Sequence, residues 1–81
     1  MYFYDIVYTL AAKNQISIEN LSLKLGKTAS YIPAQKSRRS SPKVDTASTL
    51  VSACGYTLCA VPKDEIPESA FVISFKDEES K

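Results

Sequence analysis

The sequence predicts a mainly α-helical chain with a small β element. Four or five helices are expected within residues 1–55, followed by a C-terminal antiparallel β-hairpin within residues 56–76 and a tail, residues 77–81. Apolar side chains recur at helical spacing as far as residue 54, and beyond it they recur at every second position. A chain of 81 residues corresponds to a single domain with a small core.

Helix 1 is predicted over residues 2–14 and helix 4 over residues 44–54, because each carries one apolar face. In helix 4 the first residue of the predicted apolar face is Val44. Gly55 ends helix 4. Three tyrosines flank the apolar stripe of helix 1: Tyr2, Tyr4 and Tyr8. We expect their rings to pack and their hydroxyls to meet water, the alternative being that one hydroxyl contacts a phosphate. The predicted core consists of Ile6, Leu10, Leu21, Leu25, Ile32, Leu50 and Val51.

Two shorter helices are predicted between them, over residues 18–25 and 29–37. Ser17 and Thr28 are the expected N-caps, because a hydroxyl accepts a hydrogen bond from a free backbone N–H of the first turn. Gly26 ends the first of the two, since glycine adopts a left-handed conformation without steric cost. The pair forms a helix-turn-helix, a unit that lays its second helix in the major groove of DNA.

Five segments of the chain carry a resemblance to the Cro and phage-repressor helix-turn-helix family: SIENL (17–21), LGKT (25–28), YI (31–32), SPKVDT (41–46) and LVSACGY (50–56). The resemblance covers roughly the first two thirds of the chain. It implies a repressor-like helical bundle that binds double-stranded DNA as a homodimer. In similar proteins, C-terminal strands often build the dimer.

Two residues of the predicted helix 3 depart from this pattern. Pro33 stands at the fifth helical position, where it removes a hydrogen bond and crowds the carbonyl of Ala29. In a regular helix interior this costs about 3 kcal/mol, so we expect a kink or an irregular first turn. Gln35 stands where the family usually has an aliphatic side chain.

The charge is unevenly distributed. Residues 1–45 carry seven Lys or Arg and three acids, whereas residues 46–81 carry three Lys and six acids. The basic half contains the helix pair, as a nucleic-acid partner requires. On the base side we expect Lys27, Thr28, Ala29, Ser30 and Ala34, although both alanines are also ordinary helix formers. On the phosphate side we expect Ser17, Lys36, Arg38, Arg39 and Lys43, the alternative being a solvated loop over residues 36–43.

The hairpin is predicted from strands at residues 56–62 and 70–75. An isolated hairpin would leave an apolar face or a free edge, which a second copy of the chain would cover. The expected dimer interface consists of Leu58, Phe71, Ile73 and Phe75. Two-fold symmetry would then place two copies of helix 3 about 34 Å apart, one turn of DNA. Helix 1 or the tail folding over the strands is the alternative.

Several function classes are excluded by the composition. The chain has no histidine, two separated glycines, and no spacing that pairs a nucleophile with a base, so we expect no enzyme, cofactor or metal site. Cys54 and Cys59 are expected to be buried or half-buried free thiols. Without a signal peptide or a long apolar run, a cytoplasmic protein without a membrane partner is expected.

These features favour a small DNA-binding transcriptional regulator of phage or mobile-element type, acting as a repressor-like dimer. The paired Arg38 and Arg39 favour it. The alternative is a protein-interaction module on a helix-turn-helix fold, antitoxin-like or an inhibitor of a host defence protein. Pro33, Gln35 and the small net charge of +1 favour this alternative.

Overall fold

The computed structural model of the protein describes residues 1–73 and is mainly helical, as the sequence predicts. Within these described residues, four α-helices follow one another: α1 (Phe3–Lys13), α2 (Ile18–Lys24), α3 (Tyr31–Ser37) and α4 (Val44–Ala53). A single 3₁₀ turn, Lys63–Glu65, follows within the described part of the chain. The bounds of α1, α2 and α4 lie within one residue of the predicted bounds. Among the described helices, none has the length and apolar character that a bilayer crossing requires.

All four helices end in the same hydrogen-bonded arrangement. At the end of α2, the Gly26 N–H donates to the Leu23 carbonyl at 2.9 Å, and the Lys27 N–H donates to the Ser22 carbonyl at 3.2 Å. Such an ending requires a residue with positive φ directly after the last capping residue. The residue with positive φ is Gln15 (56°) after α1, Gly26 (77°) after α2, Arg39 (54°) after α3 and Gly55 (82°) after α4. Both glycines therefore end their helices as predicted.

The core lies between α1, α4 and the helix pair. Six of the seven predicted core residues are buried, and Leu25 is half-buried. The prediction for Val44 is wrong, because its side chain is 72% exposed. Val44 is the first residue of α4, and the buried face of that helix begins one turn later, at Ala47. One face of α1 and one face of α4, the two longest helices, are therefore buried in the core.

Helix α3 begins two residues later than predicted, and Thr28 is not its N-cap. Ser30 occupies the capping position, without a side-chain bond to the helix, and the Tyr31 N–H donates to the Thr28 carbonyl at 3.0 Å. Pro33 is consequently the third helical residue rather than the fifth. A backbone N–H at that position has no acceptor within its own helix, so proline removes no helical hydrogen bond from α3.

The predicted hairpin is not confirmed. No strand occurs in residues 1–73, and the second predicted strand extends beyond the described residues, as does the predicted tail. Four side chains of residues 56–73 instead pack against the helical core: Tyr56, Leu58, Phe71 and Ile73. The rings of Tyr56 and Phe71 contact each other, with centroids 6.3 Å apart. The N-terminal ammonium of Met1 donates to the Val72 carbonyl at 2.8 Å, joining this segment to the start of the chain.

The two cysteines are free and differ in environment. Cys54 is buried, as expected, whereas Cys59 is exposed, so the prediction of a buried or half-buried thiol is wrong for Cys59. Cys59 is exposed because residues 56–62 form no paired strand with a covered face. Burial raises the pKa of the Cys54 thiol, and the positive charge of Lys24 opposes this effect. The buried thiol therefore stays protonated at neutral pH.

Candidate nucleic-acid interface

One buried serine joins α2 and α3, the two helices of the predicted helix-turn-helix. The Ser22 side chain is 0% exposed, and its hydroxyl accepts from the Ile32 N–H at 3.1 Å while it donates to the Ile18 carbonyl at 3.1 Å. Ile32 lies in the first turn of α3, where backbone N–H groups have no acceptor within the helix. Ser22 of α2 therefore caps α3 from outside and fixes the position of α3 against α2.

Ser22 was not among the predicted site residues, although the sequence carries a signal for its role. Ile18, Leu21 and Leu25 lie at i, i+3 and i+7 of the apolar face of α2, and Ser22 occupies the i+4 position of that face. A hydroxyl in an apolar stripe needs a partner inside the protein, because buried polar groups are almost always hydrogen-bonded. Ser22 has such a partner in the Ile32 N–H of the neighbouring helix α3.

Of the five residues predicted on the base side, four precede α3 and only Ala34 lies within it, and the five differ in exposure. Lys27, Thr28 and Ser30 are exposed and belong to the segment that joins α2 to α3, whereas Ala29 and Ala34 are half-buried. The Lys27 Nζ lies 5.6 Å from the centroid of the Tyr31 ring, which is itself half-buried. Two exposed side chains of α3 itself were not among the predicted contacts: Pro33 and Ser37.

Two of the five residues predicted on the phosphate side already contact α1. The Lys36 Nζ lies 3.1 Å from the Asp5 carboxylate and 5.5 Å from the centroid of the Tyr8 ring. The Arg39 guanidinium lies 4.4 Å from the centroid of the Tyr2 ring. These contacts hold the C-terminal end of α3 against α1, and they place a carboxylate beside one of the predicted phosphate ligands.

The Tyr2 hydroxyl strengthens the same junction. It donates to the Ser40 carbonyl at 2.8 Å and, over a longer distance of 3.3 Å, to the Gln35 carbonyl. The Gln35 carbonyl belongs to the last turn of α3 and also accepts from the Ser40 N–H at 3.1 Å, whereas the Ser40 carbonyl lies three residues beyond the end of α3. Burial raises the pKa of Tyr2, Arg39 lowers it and Asp5 raises it. The neutral hydroxyl therefore remains a donor at physiological pH.

The remaining phosphate-side residues are open to solvent. Arg38 and Lys43 are exposed, and neither pairs with a carboxylate within residues 1–73. Ser17 is exposed and caps α2 as predicted, since its Oγ accepts from the Asn20 N–H at 3.0 Å. Its oxygen is therefore engaged, and only its O–H could contact a phosphate.

A second tyrosine, Tyr4, lies close to this junction, and its hydroxyl has no hydrogen-bond partner among the described residues. Tyr4 is 0% exposed, and within the described residues its hydroxyl makes no hydrogen bond. The prediction of a wet hydroxyl is therefore wrong for Tyr4, because this residue faces the core from the first turn of α1. Burial, followed by the nearby Tyr31 and Tyr2, raises the pKa of Tyr4 to about 12.

The residues predicted to build a dimer occupy a different position from the one expected. Leu58, Phe71 and Ile73 are half-buried and pack against the core of their own chain. Phe75 lies outside the described residues. The predicted interface is thus covered in part by the helices.

Comparison of the chain with protein-family models, with curated proteins and with solved structures finds no match. Only the geometry of the described residues therefore bears on function.

Proposed function

We propose that the protein is a small DNA-binding transcriptional regulator of phage or mobile-element type, which inserts α3 into the major groove of DNA as a dimer. The observation that carries the proposal is the Ser22–Ile32 hydrogen bond. It orients α3 against α2 from the inner side, so the joining segment and the outer face of α3 remain uncovered. A recognition helix requires this combination of a fixed position and a free outer face.

The distribution of positive charge supports the same proposal. Exposed cations flank α3 at both ends: Lys27 precedes it, and Arg38, Arg39 and Lys43 follow it. Such residues contact phosphates and set the register of a protein on the duplex without reading sequence. The base-reading set is small, consisting of Lys27, Thr28 and Ser30. Sequence preference would then depend on few contacts and on the shape of the DNA.

A homodimer through residues 56–76, with the hairpin completed there, belongs to this proposal. Residues 57–61 make no backbone hydrogen bond within residues 1–73, so no group in that part of the chain competes with a second strand for their N–H and C=O groups. An equivalent segment from a second copy would supply that strand. The resulting two-fold axis would present two α3 helices to successive half-sites of DNA.

The test is titration of a fluorescently labelled random-sequence duplex over a series of salt concentrations. We expect binding at low salt, with log K falling linearly against log salt by about 0.9 per contacted phosphate. Sedimentation of the free protein would report the dimer in parallel. Absence of binding to every duplex at the lowest salt concentration would contradict the proposal.

A second candidate function is a protein-interaction module on the same fold, antitoxin-like or an inhibitor of a host defence protein. It is favoured by Leu23, which is 56% exposed on α2, and by the exposed Pro33 on α3. The carboxylate of Asp5, paired with Lys36, also reduces the positive potential beside α3. If the wild-type protein bound no duplex but formed a stable complex with a protein partner, this candidate would be favoured.

A further inference from the structure

A cavity of about 550 Å³ lies between the helices and the C-terminal segment. Its floor is formed by the core, with Phe3 and Ile6 from α1 and Val51 from α4. Its opposite wall is formed by residues 56–73, which cross the helices without forming a strand within the described residues. The cavity lies against a different part of the molecule from the helix pair, and the proposed DNA contacts do not use it.

The chemistry of the lining is uniform. Among the described residues, sixteen line the cavity and none of them is charged, although 23% of the chain is Asp, Glu, Lys or Arg. Val61, Ile66 and Val72 contribute apolar surface that is also exposed to solvent. The volume lies inside the range of roughly 300–1,000 Å³ that small-molecule sites occupy in proteins. An uncharged, largely apolar occupant fits both observations.

A limited number of polar groups accompany the apolar lining. Tyr56 and Thr57 are the lining residues that carry hydroxyls, and no hydrogen bond of either hydroxyl occurs within residues 1–73. The backbone of residues 57–61 is also unpaired within the described residues. Ligand sites combine such an apolar lining with a few polar groups that fix orientation. We propose that this cavity binds an uncharged, mainly apolar small molecule that carries one or two hydrogen-bonding groups.

The shape of the site favours a small molecule over a second copy of the chain. Phe3, Ile6 and Leu10 on the floor are almost fully buried, so only a compact group that enters the cavity reaches them. Leu58, Phe71 and Ile73 pack inward on their own core, so the proposed dimer would use the backbone of residues 57–61 and not these side chains. A strand pairing along the outer edge of residues 57–61 would leave the interior unfilled. Ligand binding and dimerisation are therefore separable.

The experiment uses N-phenyl-1-naphthylamine, a neutral apolar probe that fluoresces in apolar surroundings, with the full chain and without DNA. We expect saturable binding of one probe per chain. Ala70→Trp and Ala60→Phe should weaken it by about tenfold or more, or about 1.4 kcal/mol, because both exposed alanines line the cavity and a larger side chain fills it. The matched control is Ala12→Trp on the exposed side of α1, which should bind the probe as the wild type does.

Three results would overturn the proposal. The first is absence of saturable binding, or equal binding by the wild type and by both filling variants while circular dichroism reports a native fold. The second is probe binding that appears only after Phe75→Asp, which would assign the cavity to the chain's own C-terminal residues. The third is sedimentation in which probe loading converts a dimer to monomers, which would assign the cavity to a second copy. None of these results depends on duplex binding, so the proposed function stands or fails separately.

Discussion

The Ser22 hydroxyl of α2 accepts a hydrogen bond from the Ile32 backbone N–H of α3 at 3.1 Å, and both residues are fully buried. Ser22→Ala would leave that N–H without a partner, in a place that water does not reach. We expect the free energy of unfolding to fall by about 1–3 kcal/mol, measured by urea denaturation. Ser52→Ala, at an exposed position of α4, is the control and should change little. Equal effects of the two substitutions would show that the buried hydrogen bond does not stabilise the pair.

Leu21 and Leu23 form a matched pair on α2, since Leu21 is fully buried and Leu23 is 56% exposed. Leu21→Ala should reduce the free energy of unfolding by about 2–5 kcal/mol, because it opens a cavity in the core. Leu23→Ala should stay within about 0.5 kcal/mol of the wild type. Thermal unfolding followed by circular dichroism measures both. An unchanged melting curve for Leu21→Ala would contradict the packing of the helix pair.

The buried Tyr4 hydroxyl makes no hydrogen bond within the described residues. Tyr4→Phe removes this hydroxyl and keeps the ring against Phe3, whose centroid lies 5.3 Å away. We expect the variant to be more stable than the wild type by about 1 kcal/mol, since an unpaired buried polar group is destabilising. Tyr8→Phe, at a half-buried position, is the control and should show no gain. A large loss of stability in Tyr4→Phe would reveal a partner for the hydroxyl.

The same tyrosine should make stability depend on alkaline pH. Its pKa is about 12 in the folded chain and 10.0 in the unfolded chain, so the unfolded state loses its proton first. This group leaves the free energy of unfolding unchanged below pH 10 and lowers it as pH rises from about 10 to about 12, by on the order of 1–3 kcal/mol. Urea denaturation at several alkaline pH values measures the decline, which should be shallower in Tyr4→Phe. Identical slopes would show that Tyr4 does not titrate differently on unfolding.

The exposed cations near α3 should contribute to duplex affinity independently of sequence. Arg38→Ala and Lys43→Ala should each weaken binding about equally on all duplexes and flatten the salt slope by about one unit. Lys63→Ala, in the 3₁₀ turn, removes the same charge elsewhere and is the control. Loss on one sequence alone would point to base reading, and no loss on any duplex would favour a protein partner.

Breaking the ion pair between Asp5 and Lys36 should strengthen duplex binding, whereas removing a cation should weaken it. Asp5→Asn removes the carboxylate and frees the Lys36 ammonium, so we expect duplex affinity at low salt to rise by roughly twofold to fivefold, as suits an exposed pair. Glu68→Gln changes the net charge equally at an exposed position outside the four helices and is the control. Fluorescence anisotropy measures both variants. Equal gains would indicate a net-charge effect, which does not require Lys36 to contact DNA.

Much of the helical framework is encoded locally and could be predicted from the sequence. The apolar periodicity placed α1, α2 and α4 within one residue of their observed bounds, and the Ser17 cap and the glycine endings followed from side-chain and backbone chemistry. Six of the seven predicted core residues are buried for the same reason, since one face of a helix must be covered. The candidate DNA contacts follow in part from the sequence, which shows where charge lies but not which charges are paired.

The rest was decided by tertiary structure. Helix α3 begins at Tyr31 because a serine on another helix satisfies its first turn, and no window around residue 30 contains that information. Lys36 meets Asp5 across 31 positions of sequence, so its pairing could not be read from local pattern. The apolar residues at alternate positions within residues 56–73 are compatible with a β-strand and also with an irregular segment that packs on helices. Periodicity reports which side chains need cover, whereas only the assembled helices determine what covers them.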